Sequence, residues 1–258
     1  MDAIPSNDET PSRAGGKWLR PELVAPWWEI VLVLCVMLGP FAWSAVRTGL
    51  RGQNVDFFNE LINTRGLTRN IAVEGGLLAI FFFYLHWRGW RPADFRIRFD
   101  LIGTLLAVPV AITGALANLV MALFVLLIMA VLSPHPNGLL VAMLAHMPKM
   151  HPHPVYLSWL AIFIGSTVNA YLEELVFMGY AFHQFAAKRN VVFALVIMVC
   201  LRMLLHTYKG PVGMLGIGAF SMVYGLSYIN ARRLWPLILG HNLTDLVVFS
   251  FVKLTFGR

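Results

Sequence analysis

LIGTLLAVPVAITGALANLVMALFVLLIMAVL, residues 101–132, contains no lysine, arginine, aspartate or glutamate. A helix needs roughly 20 mostly apolar residues to cross a bilayer, and this run exceeds that length. Its Pro109, Gly114 and Asn118 predict a kink, a tilt or an extra element within it. Outward from it, further apolar runs occur at about 27–46, 71–87, 155–185, 191–208, 212–231 and 234–254. They are continuously apolar and do not alternate, which excludes a transmembrane barrel. Lipid offers no partners for backbone groups, so helices remain. The expected fold is all-α, a polytopic transmembrane bundle of about seven spans. An eighth is allowed by the length of the runs at 101–132 and 155–185.

Composition agrees. Of 258 residues, 58% are hydrophobic and 13% charged, about half the charged share of a soluble domain, and mean hydropathy is +0.69. Soluble, disordered and fibrous classes are excluded. The net charge of +7 would suggest nucleic acid in a soluble protein. Here the basic residues fall between apolar runs and read as topology signals facing anionic lipid, so no nucleic acid is expected. Cys35 and Cys200 lie inside apolar runs, which argues against a disulfide framework.

Residues 1–26 are polar and rich in Pro, Gly and Ser, and read as a disordered cytoplasmic tail before a transmembrane domain at 27–254. With the N-terminus inside, the inner segments hold Arg13, Lys17, Arg20, Arg88, Arg91, Arg96, Arg98, Lys188, Arg189, Arg232 and Arg233. The outer ones hold Arg47, Arg51, Arg65, Arg69, Lys149, Lys209, Lys253 and Arg258. That excess, sharpest after residue 87, predicts N-inside and C-outside. The absence of organelle signals makes a bacterial inner membrane the default location. The segment 133–154 holds four histidines among prolines. It reads as a stiffened loop around a short amphipathic helix at 139–147, in preference to a metal tract at His151 and His153. No internal repeat is visible, which weighs against an inverted-repeat transporter.

The acids carry the functional signal. After Asp100 the only acids are Glu173, Glu174 and Asp245, and all three fall in apolar runs. An ionised group in hydrocarbon costs at least ~2.5–3.5 kcal/mol, so three of them, with none in the loops, point to function. Glu173 and Glu174 are adjacent and project about 100° apart on a helix. One can face a cavity while the other supports it, and the pair can hold a proton for acid–base chemistry. His241 and Asp245 share a helix face at i,i+4, as do Arg202 and His206. Two carboxylates, two imidazoles, a third acid and a guanidinium on three consecutive spans can activate water directly or bind zinc. Counted at ~1.5 Å per residue from the inner ends, Glu173 lies roughly 17 Å deep, His241 roughly 12 Å and His206 roughly 25 Å. His206 meets the others only if its span starts later, tilts or unwinds.

These residues resemble the CPBP family, the CAAX-protease and bacteriocin-processing (abortive-infection) intramembrane proteases. That family's pattern is EExxxR, then FxxxH, then HxxxN or HxxxD. It appears here as Glu173-Glu174-LVF-Met178, Arg202-MLL-His206 and His241-NLT-Asp245, over about 155–254. The string EELVFMGY is close to the family's EELxFRGY, and RGWRPADFRIRFD resembles its interfacial stretch. Two positions depart: Met178 replaces the motif arginine, and Arg202 replaces the motif phenylalanine. Arg202 is expected to supply the missing positive charge from across the cavity, with Glu74 as a competing partner for it.

The resemblance implies an intramembrane endopeptidase acting on a membrane-associated or prenylated-type peptide or protein within the lipid bilayer. It implies catalytic roles for Glu173, Glu174, His206, His241 and Asp245, with Arg202 in support. Glu173, backed by Glu174, would polarise the water, and His206 would orient it. His241 and Asp245 would stabilise the oxyanion. Zinc or another divalent metal, held by Glu173, His206 and His241, is one version of this chemistry, and a metal-free glutamate mechanism is the other. Competing functions are a catalytically inactive scaffold of the same fold and a proton-coupled transporter using the acids as a relay.

Overall fold

The computed structural model describes residues 18–50, 64–132 and 156–256. The histidine-rich segment, its expected helix at 139–147 and tail residues 1–17 lie outside the described residues. The remainder is an all-α polytopic bundle, without strands among the described residues. Its helices are α1 Trp27–Leu50, α2 Thr64–Trp87, α3 Leu101–Leu132, α4 Trp159–Glu174, α5 Phe182–Lys188, α6 Val191–Leu205, α7 Gly210–Ala231 and α8 Trp235–Phe256. A π-helical segment, Leu175–Ala181, joins α4 to α5 into one continuous span.

Among the described residues, six helical spans are long and apolar enough to cross a membrane. The fifth apolar run yields only the 15 residues of α6, roughly 22 Å at 1.5 Å per residue and short of the ~30 Å hydrocarbon. The chain turns at His206, forms a 3₁₀ turn at Thr207–Lys209 and re-enters helix at Gly210 with φ 69°. The run at 101–132 holds no extra element: α3 continues through Pro109, with Thr113 donating back to the Pro109 carbonyl.

α3 is the most lipid-exposed helix, with Leu105, Val120, Phe124 and Leu132 all outward. Its buried residues are Gly103, Ala107 and Gly114. With little attraction between apolar helices in lipid, close backbone approach through small residues is what packs them. Accordingly α3 lies on α7 and α8. A Cβ on Gly114 would lie 2.7 Å from the Tyr224 ring, and one on Gly240 of α8 would lie 3.0 Å from the Ala107 carbonyl oxygen.

The core centres on the π segment, whose seven residues are all buried. Tyr180 packs edge-on against Phe81 of α2 and donates a 3.0 Å hydrogen bond to the Tyr84 hydroxyl. The Tyr84 hydroxyl donates to Glu29 of α1, which also pairs with Arg88 at 2.7 Å. His183 is fully buried and hydrogen-bonded with the Tyr228 hydroxyl at 2.7 Å.

Residues 18–26, assigned by composition to the polar tail, are packed. Leu19, Leu23 and Ala25 are buried. The Gln184 side chain accepts from the Ala25 N–H and donates to the Leu23 carbonyl, each at 2.9 Å. Arg20 makes a two-pronged bond to Asp94 at 2.9 and 2.8 Å. Burial pushes the Asp94 carboxyl up, but the Arg20 hydrogen bond and the Arg91 N–H outweigh it and hold the group below its ordinary 3.8. Trp18 is stacked by the guanidinium groups of Arg96 at 5.2 Å and Arg232 at 4.0 Å. Both arginines have left-handed backbone, φ 55° and 50°.

Candidate active site

α4 ends at Glu174, where the backbone passes into the π segment. A π turn carries one more residue per turn than an α turn and recurs at functional sites, because it shifts the face that later side chains present. The two glutamates then take separate environments. The Glu174 side chain is fully buried, whereas that of Glu173 is 16% exposed and lines a cavity of about 420 Å³.

Arg202, near the end of α6, is 1% exposed and reaches both glutamates. Its Nη2 lies 2.6 Å from Glu174 Oε1 and its Nε 3.4 Å from Glu173 Oε2. The guanidinium also lies over the Phe177 ring at 4.8 Å and near the Phe220 ring at 6.0 Å. Burying a charge is costly without a partner, and here the cation from α6 is matched by the anions from α4. Among the described residues no hydrogen bond or ion pair joins Glu74 to Arg202, whose ion pairs are with Glu173 and Glu174.

His241 of α8 brings its Nδ1 to 2.9 Å from the same Glu174 Oε1. Its Nε2 lies 3.7 Å from Asp245 Oδ2, an ion-pair distance and too long for a hydrogen bond. Asp245 Oδ2 accepts from the Asn169 amide of α4 at 2.9 Å. His206 caps α6, and its Nδ1 lies 2.8 Å from the Arg202 carbonyl oxygen. A carbonyl only accepts, so Nδ1 carries the proton and Nε2 keeps the lone pair. Glu173, Arg202, His206, His241 and Asp245 all line the cavity, with Glu174 directly behind. His206 joins them because α6 ends there and the chain turns beside the site.

The metal-holding set fits poorly. Among the described residues, no three of His, Cys, Asp and Glu form a group that could hold a metal ion. The donors are engaged with each other: Arg202 occupies both glutamates, Glu174 takes His241, and the Arg202 carbonyl takes the His206 Nδ1. What remains facing the cavity is a carboxylate, an imidazole lone pair and an asparagine-held aspartate, a set suited to moving protons.

Sequence reasoning missed Asn169, although it lies i−4 to Glu173 on the same helix face. It also read Asn118 of α3 as a helix-bending residue, whereas Asn118 lines the cavity and lies against Gly216. Tyr208 and Lys209, just after His206, line the cavity as well.

Residues 155–247 match the family model for type II CAAX prenyl endopeptidase Rce1-like proteins. No curated protein and no solved structure matches the chain. The matched segment, residues 155–247, contains all three motif pairs, Glu173-Glu174, Arg202–His206 and His241–Asp245.

Proposed function

We propose that this integral membrane protein is an intramembrane endopeptidase of the CAAX-protease type, hydrolysing a peptide bond of a membrane-associated or prenylated-type substrate with water activated by Glu173. The observation that carries this is the division of the glutamate pair. Glu174 is held between Arg202 and His241, leaving the Glu173 carboxylate facing the cavity.

In the reaction, Glu173 takes a proton from water as its oxygen attacks the scissile carbonyl. The His206 Nε2 lone pair accepts the second water hydrogen and fixes the direction of attack. Glu174 and Arg202 position Glu173 and His241 and do not touch the substrate. As an imidazolium, His241 donates from Nδ1 to Glu174 and from Nε2 into the cavity, where the carbonyl oxygen gains charge; preorganised donors of this kind are worth about 10²–10³ in rate. Asp245, steadied by Asn169, holds His241 in orientation. The lysine and arginine distribution supports an N-inside orientation, and a bacterial inner membrane is the proposed location.

The test is cleavage of a fluorogenic peptide, with and without a C-terminal farnesyl group, by the purified chain in lipid vesicles. The expected result is a single new peptide terminus by mass spectrometry, at a rate unchanged by a divalent-metal chelator. Loss of cleavage in chelator and its return with zinc would overturn the metal-free mechanism. No cleavage of either peptide would overturn the peptidase assignment.

A further inference from the structure

One face of α2 carries Leu67, Asn70, Ile71 and Glu74, the i, i+3, i+4, i+7 rows of a helix, and all four line the cavity. α2 lies outside the matched segment 155–247, so the family's motifs assign nothing to it. Glu74 is 8% exposed and aimed into the cavity. Among the described residues no hydrogen bond or ion pair engages its carboxyl. A buried carboxyl without a partner is costly, and the sequence retains one here in an apolar helix. The groups that face Glu74 are Glu173 of α4, and His241 and Asp245 of α8. Arg202 and His206 of α6 and Tyr208 and Lys209 of the following turn share the cavity.

We propose that Glu74 is a further catalytic residue, the general acid that protonates the leaving amine. Its role rests on the peptidase chemistry proposed above. That chemistry needs two proton transfers in opposite directions, and Glu173 supplies the acceptor. The water oxygen bonds to the carbonyl carbon as its proton passes to Glu173. The C–N bond then breaks as the nitrogen takes the proton of Glu74. The proton on Glu173 returns to Glu74 through cavity water, so one water is consumed and both carboxyls are restored. The unpaired carboxyl of Glu74 is suited to this task, because a salt-bridged carboxylate has no proton to give. The bonded pair Glu174–Arg202 cannot take its place.

The test compares wild-type protein and Glu74→Gln in vesicles on two versions of one peptide, with a scissile amide or a scissile thioester. An amine needs a proton to depart, and a thiolate does not. Glu74→Gln is expected to slow amide cleavage by about 100-fold or more while leaving thioester cleavage within about threefold. Glu74→Asp should regain part of the amide rate. Equal loss on both substrates would show a merely structural role and overturn the proposal, as would an unchanged amide rate. Cleavage of neither substrate by the wild-type protein would instead overturn the peptidase assignment, and the role of Glu74 with it.

Discussion

Replacing Arg202 by methionine keeps most of the side-chain volume and removes the cation that two buried or half-buried carboxylates share. Glu174 is fully buried, and only His241 would remain on it, at 2.9 Å. Breaking a buried pair by removing one partner costs about 3–5 kcal/mol, because the other charge is left uncompensated. Against a total stability of about 5–15 kcal/mol, that is a large fraction. The control is Arg233→Met. Arg233 bonds Asp100 at 2.8 and 2.9 Å with both side chains partly exposed, so its loss should cost about 0–1 kcal/mol. Denaturant unfolding in micelles, followed by the fluorescence of the eight tryptophans, measures both. The double variant Arg202→Met/Glu174→Gln removes both charges and should recover most of the loss, since an uncharged pair carries no ionic desolvation cost. The reasoning is refuted if Arg202→Met costs no more than Arg233→Met, or if the double variant is no more stable than the single.

Three further outcomes follow from the same contacts. Met178 is 1% exposed in the π segment, and Arg202 already serves the glutamates, so Met178→Arg alone should destabilise by stranding a second buried charge; combined with Arg202→Phe it should regain stability in the same unfolding assay. Gln184→Leu leaves the Ala25 N–H and the Leu23 carbonyl unpaired, at about 1–3 kcal/mol for each buried group, and limited proteolysis should then cut within residues 18–26. The Arg20–Asp94 clasp should depend on pH: its carboxyl lies below 3.8 in the folded state, so its contribution is complete above that value and is lost as pH falls through the depressed one. Protease sensitivity of residues 18–26 should therefore rise below about pH 4, and Asp94→Asn should show that sensitivity already at neutral pH.

Much of the architecture is legible because bilayer thickness imposes run length on the sequence. The spans at α1, α2, α7 and α8 follow from that alone, whereas the continuity of α3 through Pro109 does not. The shortness of α6 was not legible: the apolar run extends through His206 and Thr207 to residue 208, whereas the helix ends at Leu205 and the chain turns at His206. The π segment was not legible. LVFMGYA has an ordinary helical composition, and its packing partners near Gly179, Phe95 and Leu234, lie far away in sequence. The packing of residues 18–26 was hidden for a different reason. Composition over 1–26 is dominated by the polar first half, whereas Arg20 finds its partner far away at Asp94, and Leu23 and Ala25 find theirs at Gln184 of α5.

In the site, the i,i+4 pairs correctly placed Arg202 with His206 and His241 with Asp245, because spacing on one helix is a local property. Spacing does not say which helices face each other. Glu74 therefore stood open as a partner for Arg202, and only packing separates the two: Arg202 meets Glu173 and Glu174, and Glu74 faces the cavity from α2. The near-identical neighbours Glu173 and Glu174 were likewise separable only by what each one touches.

The central claim is that Glu173 activates water while Arg202 and His241 lock Glu174 behind it. Rates of peptide cleavage by wild-type protein and Glu173→Gln, reconstituted in the same vesicles and matched for unfolding midpoint, test it most directly. The account predicts cleavage by the wild-type chain and a fall of about 10²–10⁴-fold or more in the variant. Equal cleavage by the two proteins would contradict it.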